Sequence, residues 1–246
     1  MASPPDDWVI PDWPAPTRVR ALITSRNGGC SSGPYESMNL GLRVNDNSES
    51  VQANRRLLRQ FLPAEPRWLH QVHGTRVVDA KSVMLDEQAD AAVATQPGCV
   101  CEVMVADCLP VLFAQRGTVT VAAAHAGWRG LAGGVLENTI RAFNTSPGNL
   151  IAYLGPAIGP TAFEVGHDVR DAFVAADPDA KRAFHPHKPD KWLADLYLLA
   201  RQRLATAGLL NVYGVESCTY SNPARYFSHR RDKVSGRMAA LIWIEN

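Results

Sequence analysis

Between residues 90 and 125 the chain sets down four short apolar runs in close succession, at 90–95, 100–106, 110–115 and 118–125. They are rich in Val and are punctuated by Gly and Pro, the pattern of strands rather than helices. Two further runs, 67–72 and 75–80, precede them, and Val19 to Thr24 reads as a first strand. Residues 26–42, RNGGCSSGPYESMNLGL, form a long Gly-, Ser- and Asn-rich loop, and a loop of that length in a compact domain is functional or disordered. Apolar positions Val51, Leu57, Leu58 and Phe61 predict a helix over 49–62, stopped at Pro63. After the strand block, 131–144, 167–176 and 190–207 read as helices, and 150–154, 211–217 and 237–244 as strands. An early β-rich and a later α-rich stretch argue against a regular βαβ array, and no linker-like shift in composition divides the chain. The expected class is α+β in a single domain over 18–246, with 1–17, which holds five prolines, running extended over its surface.

Composition narrows the function. With 46% hydrophobic and 20% charged residues in 246, the chain can bury a core without disulfide staples, and disorder is excluded as the dominant state. The balance of 25 Lys and Arg against 24 Asp and Glu provides no bulk field for nucleic acid. The longest apolar stretch, Cys99 to Ala114, is cut by Glu102 and Asp107, so no membrane span is expected. The opening MASPPDDWVIPDW has neither a basic nor an apolar leader region, and a cytoplasmic location with reduced thiols is expected. The five cysteines show no CxxC spacing.

Three segments place reactive side chains beside apolar strands. In HQVHGTRV, strand alternation puts His70 and His73 on opposite faces, so that at most one faces a common site; each also fits a hydrogen-bonded structural histidine. In VADCLPVLFA, Cys108 follows an apolar run, and Pro110 breaks the ladder beside it, leaving the thiol placed for ligation or simply buried. In VTVAAAHAGWRG, a strand delivers His125 to a Gly-flanked turn before a helix, where backbone N–H groups and Arg129 suit an anion, or where the turn is merely a cap. His73, Cys108 and His125 lie 35 and 17 residues apart, each at a strand end. Two imidazoles and a thiolate with an open fourth position match a catalytic zinc site, and the same residues match a metal-free Cys–His nucleophilic pair. GPAIGPTAFEVG reads as a turn or a close approach to a ligand. RYFSHRRDKVSGR, with Arg225, Arg230, Arg231, Lys233 and Arg237, reads as a phosphate site or a solvated loop.

Taken in order, RNGGCSSGPYESMNLGL, HQVHGTRV, ADAAV, VADCLPVLFA, AAHAGWRGLAGGV, LGPAIGPTAFEVG and FSHRRDKVSGRMAALIWI resemble the laccase-domain family, also called the multicopper polyphenol oxidase or bacterial purine nucleoside phosphorylase family. The resemblance covers residues 18–244. It implies an α/β/β/α sandwich with mixed sheets, related to cytotoxic necrotizing factor catalytic domains, and a zinc site at His73, Cys108 and His125. It implies phosphorolysis of adenosine, inosine, guanosine and methylthioadenosine, with adenosine deamination as a second activity. The older oxidase label implies copper, whereas a multicopper site needs many His ligands and the only His-x-His pair here is His185-Pro186-His187. Three ligands of this kind still permit copper binding in vitro. Where relatives carry cysteines in the GPxIGPxxxEVG segment this chain has Ala157 and Thr161, and His229 stands where Tyr also occurs.

The reading that follows is a zinc-dependent purine nucleoside phosphorylase and adenosine deaminase, a monomer or homodimer that binds purine nucleosides and phosphate. Asp107 moves a proton or holds a ligand in place, Arg129 or Arg230 holds phosphate, and Asn39 meets polar edges of the substrate. In deamination the metal activates the water that attacks C6 of adenine. The competing readings are a copper-dependent polyphenol oxidase, a Cys–His hydrolase and a non-enzymatic binding module.

Overall fold

The computed structural model describes residues 3–84, 86–117, 120–215 and 217–245. In chain order the strands and helices are β1 (Val19–Ile23), α1 (Ser48–Arg59), β2 (Val77–Asp79), β3 (Ala91–Ala94), β4 (Val100–Val105), β5 (Leu109–Gln115), β6 (Val121–Ala126), α2 (Trp128–Gly133), α3 (Val135–Ala142), β7 (Leu150–Leu154), β8 (Glu164–Val165), α4 (His167–Val174), β9 (Phe184–Lys188), β10 (Lys191–Ala194), α5 (Leu196–Thr206), β11 (Val212–Gly214), α6 (His229–Asp232) and β12 (Met238–Ile244). Residues 118–119 of the expected strand 118–125, and 216 of the expected strand 211–217, lie outside the described residues.

A mixed six-stranded sheet runs in the order β11-β7-β5-β6-β3-β2, and a three-stranded antiparallel sheet in the order β1-β12-β4. Alternation along the strands builds the layers. In β12, Ala240, Ile242 and Ile244 point at Leu112, Ala114, Ala123 and Ile151 of the larger sheet. Ala239, Leu241 and Trp243 point the other way, onto Leu58 of α1, Met38, Leu40 and Trp8. The far face of the six-stranded sheet, through Val111, Phe113 and Ala124, packs on Leu136 and Ile140 of α3 and Leu199 and Leu204 of α5. The order of layers is therefore α/β/β/α. β6 is buried at every position, and its alanines let sheet and helices approach closely from both sides.

Four expectations are revised. Residues 67–72 form no ladder strand beyond an isolated bridge from His70 to Gln88. Side chains hold the segment along the free edge of β4 instead: Glu102 Oε1 accepts the Leu69 N–H at 2.9 Å, and the Gln71 amide donates to Met104 O at 2.8 Å and accepts its N–H at 2.7 Å. The expected helix 190–207 opens as β10, which pairs with β8 and β9, and begins only after Asp195, whose carboxylate caps the Leu198 N–H at 2.9 Å. The expected helix 131–144 starts earlier, at Trp128, and is split at Gly134, whose φ of +100° closes α2 and opens α3. The N-terminal segment does more than run over the surface, because Trp8 and Val9 are buried and Val9 bridges to Ile23.

A Cβ at position 134 would meet nothing closer than 3.5 Å, so only the left-handed backbone opposes a side chain there. Gly134→Ala should lower the unfolding free energy by about 1 kcal/mol, read from the midpoint of chemical denaturation, with the far-UV circular dichroism of the folded protein unchanged.

Candidate metal centre

β5 and β6 are paired so that Leu109 faces Ala126 and Pro110 faces His125. This register sets Cys108, one residue before β5, opposite Gly127, one residue after β6. Pro110, expected to break the ladder, lies inside it as the second residue of β5, where it lacks only the one N–H. His73 arrives on the irregular segment at a φ of +59°. Its Nε2 lies 3.8 Å from Cys108 Sγ, and the His73 and His125 rings meet edge to face at 4.8 Å between centroids. The donor atoms of His73, Cys108 and His125 all lie within 4.8 Å of one another, and they are the one such group of three among the described residues. Tetrahedral zinc would separate a nitrogen and a sulfur ligand by about 3.6 Å, so the donor set fits a metal with little movement. A Cβ at Gly127 would lie 2.8 Å from the His73 ring and 3.0 Å from Cys108 Sγ, so a bare glycine keeps the cluster open.

Asp90 orders the cluster, a role not foreseen from the sequence. Its Oδ1 is 2.8 Å from His125 Nδ1, which leaves Nε2 as the donor on the metal side. The same carboxylate accepts the N–H groups of Val72, His73 and Gly74 at 3.2, 2.9 and 2.7 Å. Burial pushes the Cys108 thiol up, but the charge of His125 and hydrogen bonds from His125 and His73 pull it down from 9.0 to about 6. Burial pulls His125 down, while the Cys108 charge and the Asp90 hydrogen bond raise it to about 9. Without metal the centre is therefore a thiolate–imidazolium pair near neutral pH.

The centre lies in a cavity of about 800 Å³ whose walls include Trp68, His70, Gln71, Arg43, Arg55, Arg129, His229 and Arg237. His70 and His73 both face it, against the expectation of opposite faces, because their segment is not a strand. Arg129 lines it and is exposed. Three other residues singled out in the sequence do not line it. Asn39 is fully buried and orders its loop, accepting the Gly41 and Arg237 N–H groups at 2.9 and 2.8 Å. The Asp107 carboxylate is occupied by Thr219 Oγ1 and the Arg230 N–H, both at 2.6 Å, which suits holding Cys108 in place rather than carrying a proton. The Arg230 guanidinium donates to Glu164 O at 2.8 Å and lies over the Phe163 ring. The signal for Asp90 was a carboxylate opening the apolar run ADAAV. Gln71, Arg55 and Trp68 gave no signal above ordinary surface residues.

Two outcomes follow. Asp90→Asn keeps the shape but removes the charge and replaces one of the two acceptor oxygens by an amide donor, so His125 and the 72–74 N–H groups can no longer all be satisfied and metal affinity should fall about ten- to hundredfold in a chelator competition. In chelator-treated protein, iodoacetamide labelling of Cys108, followed by peptide mass mapping, should rise through about pH 6 and be flat by pH 8, because the thiolate form dominates above its lowered pKa. Reloading zinc should protect the thiol, whereas fast labelling indifferent to metal would favour a metal-free nucleophile.

The comparisons with known proteins agree with this architecture. The family described as multi-copper polyphenol oxidoreductase laccase matches residues 20–245. Purine nucleoside phosphorylase PA4543 of Pseudomonas aeruginosa is 50% identical over 240 residues, covering 97% of this chain and 99% of that protein. Purine nucleoside phosphorylase YfiH of Escherichia coli K12 is 51% identical over 239 residues, covering 96% and 98%. The crystal structure of Neisseria meningitidis protein NMB0706 superposes with a TM-score of 0.94 at 50% identity, covering 98% of this chain and 100% of that one. YlmD from Geobacillus stearothermophilus superposes at 0.87 with 31% identity, covering 94% and 93%. With nearly the whole length matched in sequence and in structure, the chain belongs to the multi-copper polyphenol oxidoreductase laccase family.

Proposed function

We propose that the chain is a zinc-dependent purine nucleoside phosphorylase acting on adenosine, inosine, guanosine and methylthioadenosine, with adenosine deamination as a second reaction. The catalytic unit is residues 18–246, and it works in the cytoplasm on free nucleosides. The observation that carries the reading is a three-ligand donor set, open on its fourth side, in a cavity whose walls hold arginines. Relatives of about half identity are named purine nucleoside phosphorylases. At about 800 Å³ the cavity is of the size that holds a small-molecule ligand. Two imidazoles and a thiolate suit zinc, and a bound ion supplies Lewis-acid activation of an oxygen. In phosphorolysis a phosphate oxygen bonds to ribose C1′, the bond from C1′ to the purine nitrogen breaks, and the base leaves carrying that electron pair and takes a proton. In deamination water adds at C6 and ammonia leaves. Asp90 holds His125, and Asp107 holds the turn that presents Cys108.

The family's description favours a second reading, a copper oxidase. A multi-copper centre needs further clusters, and the described residues hold one group of three donors.

Metal-replete protein given inosine and phosphate should release ribose 1-phosphate and hypoxanthine in equal amounts, and adenosine without phosphate should give inosine and ammonia. Absence of product, or hypoxanthine release that ignores phosphate, overturns the phosphorylase reading. Protein purified without added copper should carry near-stoichiometric zinc and leave phenols unoxidised; bound copper with phenol oxidation would establish the alternative.

A further inference from the structure

We propose that Arg237 is the phosphate-binding residue of this site, an inference that rests on the phosphorylase reading for the identity of the anion. Four arginines line the cavity. Arg43 is paired with Asp86. Arg55 donates through Nε and Nη2 to Leu40 O at 3.0 and 2.8 Å and stacks over Trp68 at 3.7 Å. Arg129 is exposed and rests on its neighbour Trp128, with no side-chain hydrogen bond among the described residues.

Arg237 differs from all three. It is half-buried, and its Nη1 alone is tied down, donating to Ser235 O, Ser235 Oγ and Gly236 O at 2.8, 3.2 and 2.9 Å. Its backbone N–H is fixed on Asn39, and Gly41 packs so close that a Cβ there would fall 2.9 Å from Arg237 Cγ. Nε and Nη2 have no partner among the described residues, and no carboxylate forms a salt bridge with the group. The Asp107 carboxylate is taken by Thr219 and the Arg230 N–H. β12 pairs Met238 with Val105, so Arg237 stands level with Ala106, two residues from Cys108, at the metal end of the cavity. A half-buried guanidinium held rigid on one side, with the other side of its fork free and no carboxylate bonded to it among the described residues, matches a bidentate oxyanion.

The test uses metal-loaded protein and inorganic phosphate alone, by titration calorimetry, alongside KM values for phosphate and inosine. Arg237→Gln should weaken phosphate binding and raise its KM about ten- to hundredfold, with zinc content, far-UV circular dichroism and the KM for inosine unchanged. Arg237→Lys should recover only part of the loss, and Arg230→Gln should behave as the parent. Unchanged phosphate affinity in Arg237→Gln, or a loss seen only in Arg129→Gln, overturns the assignment while leaving phosphorolysis intact. Loss of zinc in Arg237→Gln with phosphate affinity retained also overturns it. Arg237-dependent phosphate binding in a protein that does not cleave inosine would uphold the anion site and defeat the phosphorylase reading.

Discussion

The Asp90 carboxylate is fully buried, and a buried carboxylate is tolerated only where hydrogen bonds replace the water it has lost. Here three backbone N–H groups and one imidazole do so. Those partners come from the irregular segment carrying His73 and from the end of β6 carrying His125, so the demand of one anion for donors joins two of the three candidate ligands. Burial raises the pKa of Asp90, and the His125 hydrogen bond and charge, with the N–H groups of Gly74 and Val72, outweigh that and hold it below the usual range. The stabilised carboxylate in turn fixes which ring nitrogen of His125 is free. Removing its charge would leave one acceptor oxygen for four donors, so the ring and the 72–74 turn could no longer both be held.

The third candidate ligand, Cys108, depends on a different constraint, the register of the β5–β6 ladder. A slip of one residue would invert every side chain of β5 and send Cys108 away from the histidines. Register is held because both faces of these strands are packed, Val111 and Phe113 against the helices and Leu112 and Ala114 against the smaller sheet. The core thus sets the position of the thiol, and the positive φ of +88° at Asp107 turns the chain sharply just before it. Such a backbone costs on the order of 1–3 kcal/mol, and the Asp107 bonds to Thr219 and Arg230 are what hold it.

Cys108 and His125 were legible in the sequence because they end apolar runs whose strand character is plain. His73 was legible as a motif but not in its geometry. The segment around it has the composition of a strand, yet its shape comes from Glu102, Met104 and Asp90, each supplied by a distant part of the chain. Periodicity reports which face a residue takes on a regular element and says nothing of a segment whose hydrogen bonds go to side chains. For the same reason 190–207 read as one helix: Trp192 and Leu193 fit a helical face, and only their partners in β8 and β9 make them a strand. The layered α/β/β/α order followed from the resemblance, since composition and periodicity alone reached no further than a mixed single domain.

The basic stretch 225–237 shows why a cluster of cations in a sequence overstates an anion site. A loop without ladder partners leaves carbonyls that must be satisfied, and a guanidinium, with five donors, can satisfy several at once. Arg231 donates to the carbonyls of Thr219, Tyr220 and Tyr226 at 2.8, 2.9 and 3.0 Å, and Arg225 to that of Asp7 at 2.7 Å. Arg230 is tied to Glu164 O in the same way. These side chains staple the loop and the N-terminal segment to the body of the fold. Arg237 meets its carbonyls through one nitrogen only, and it alone of the five cations lines the cavity. Net charge near zero and a locally cationic pocket are compatible because most of the arginines in this stretch are spent on backbone.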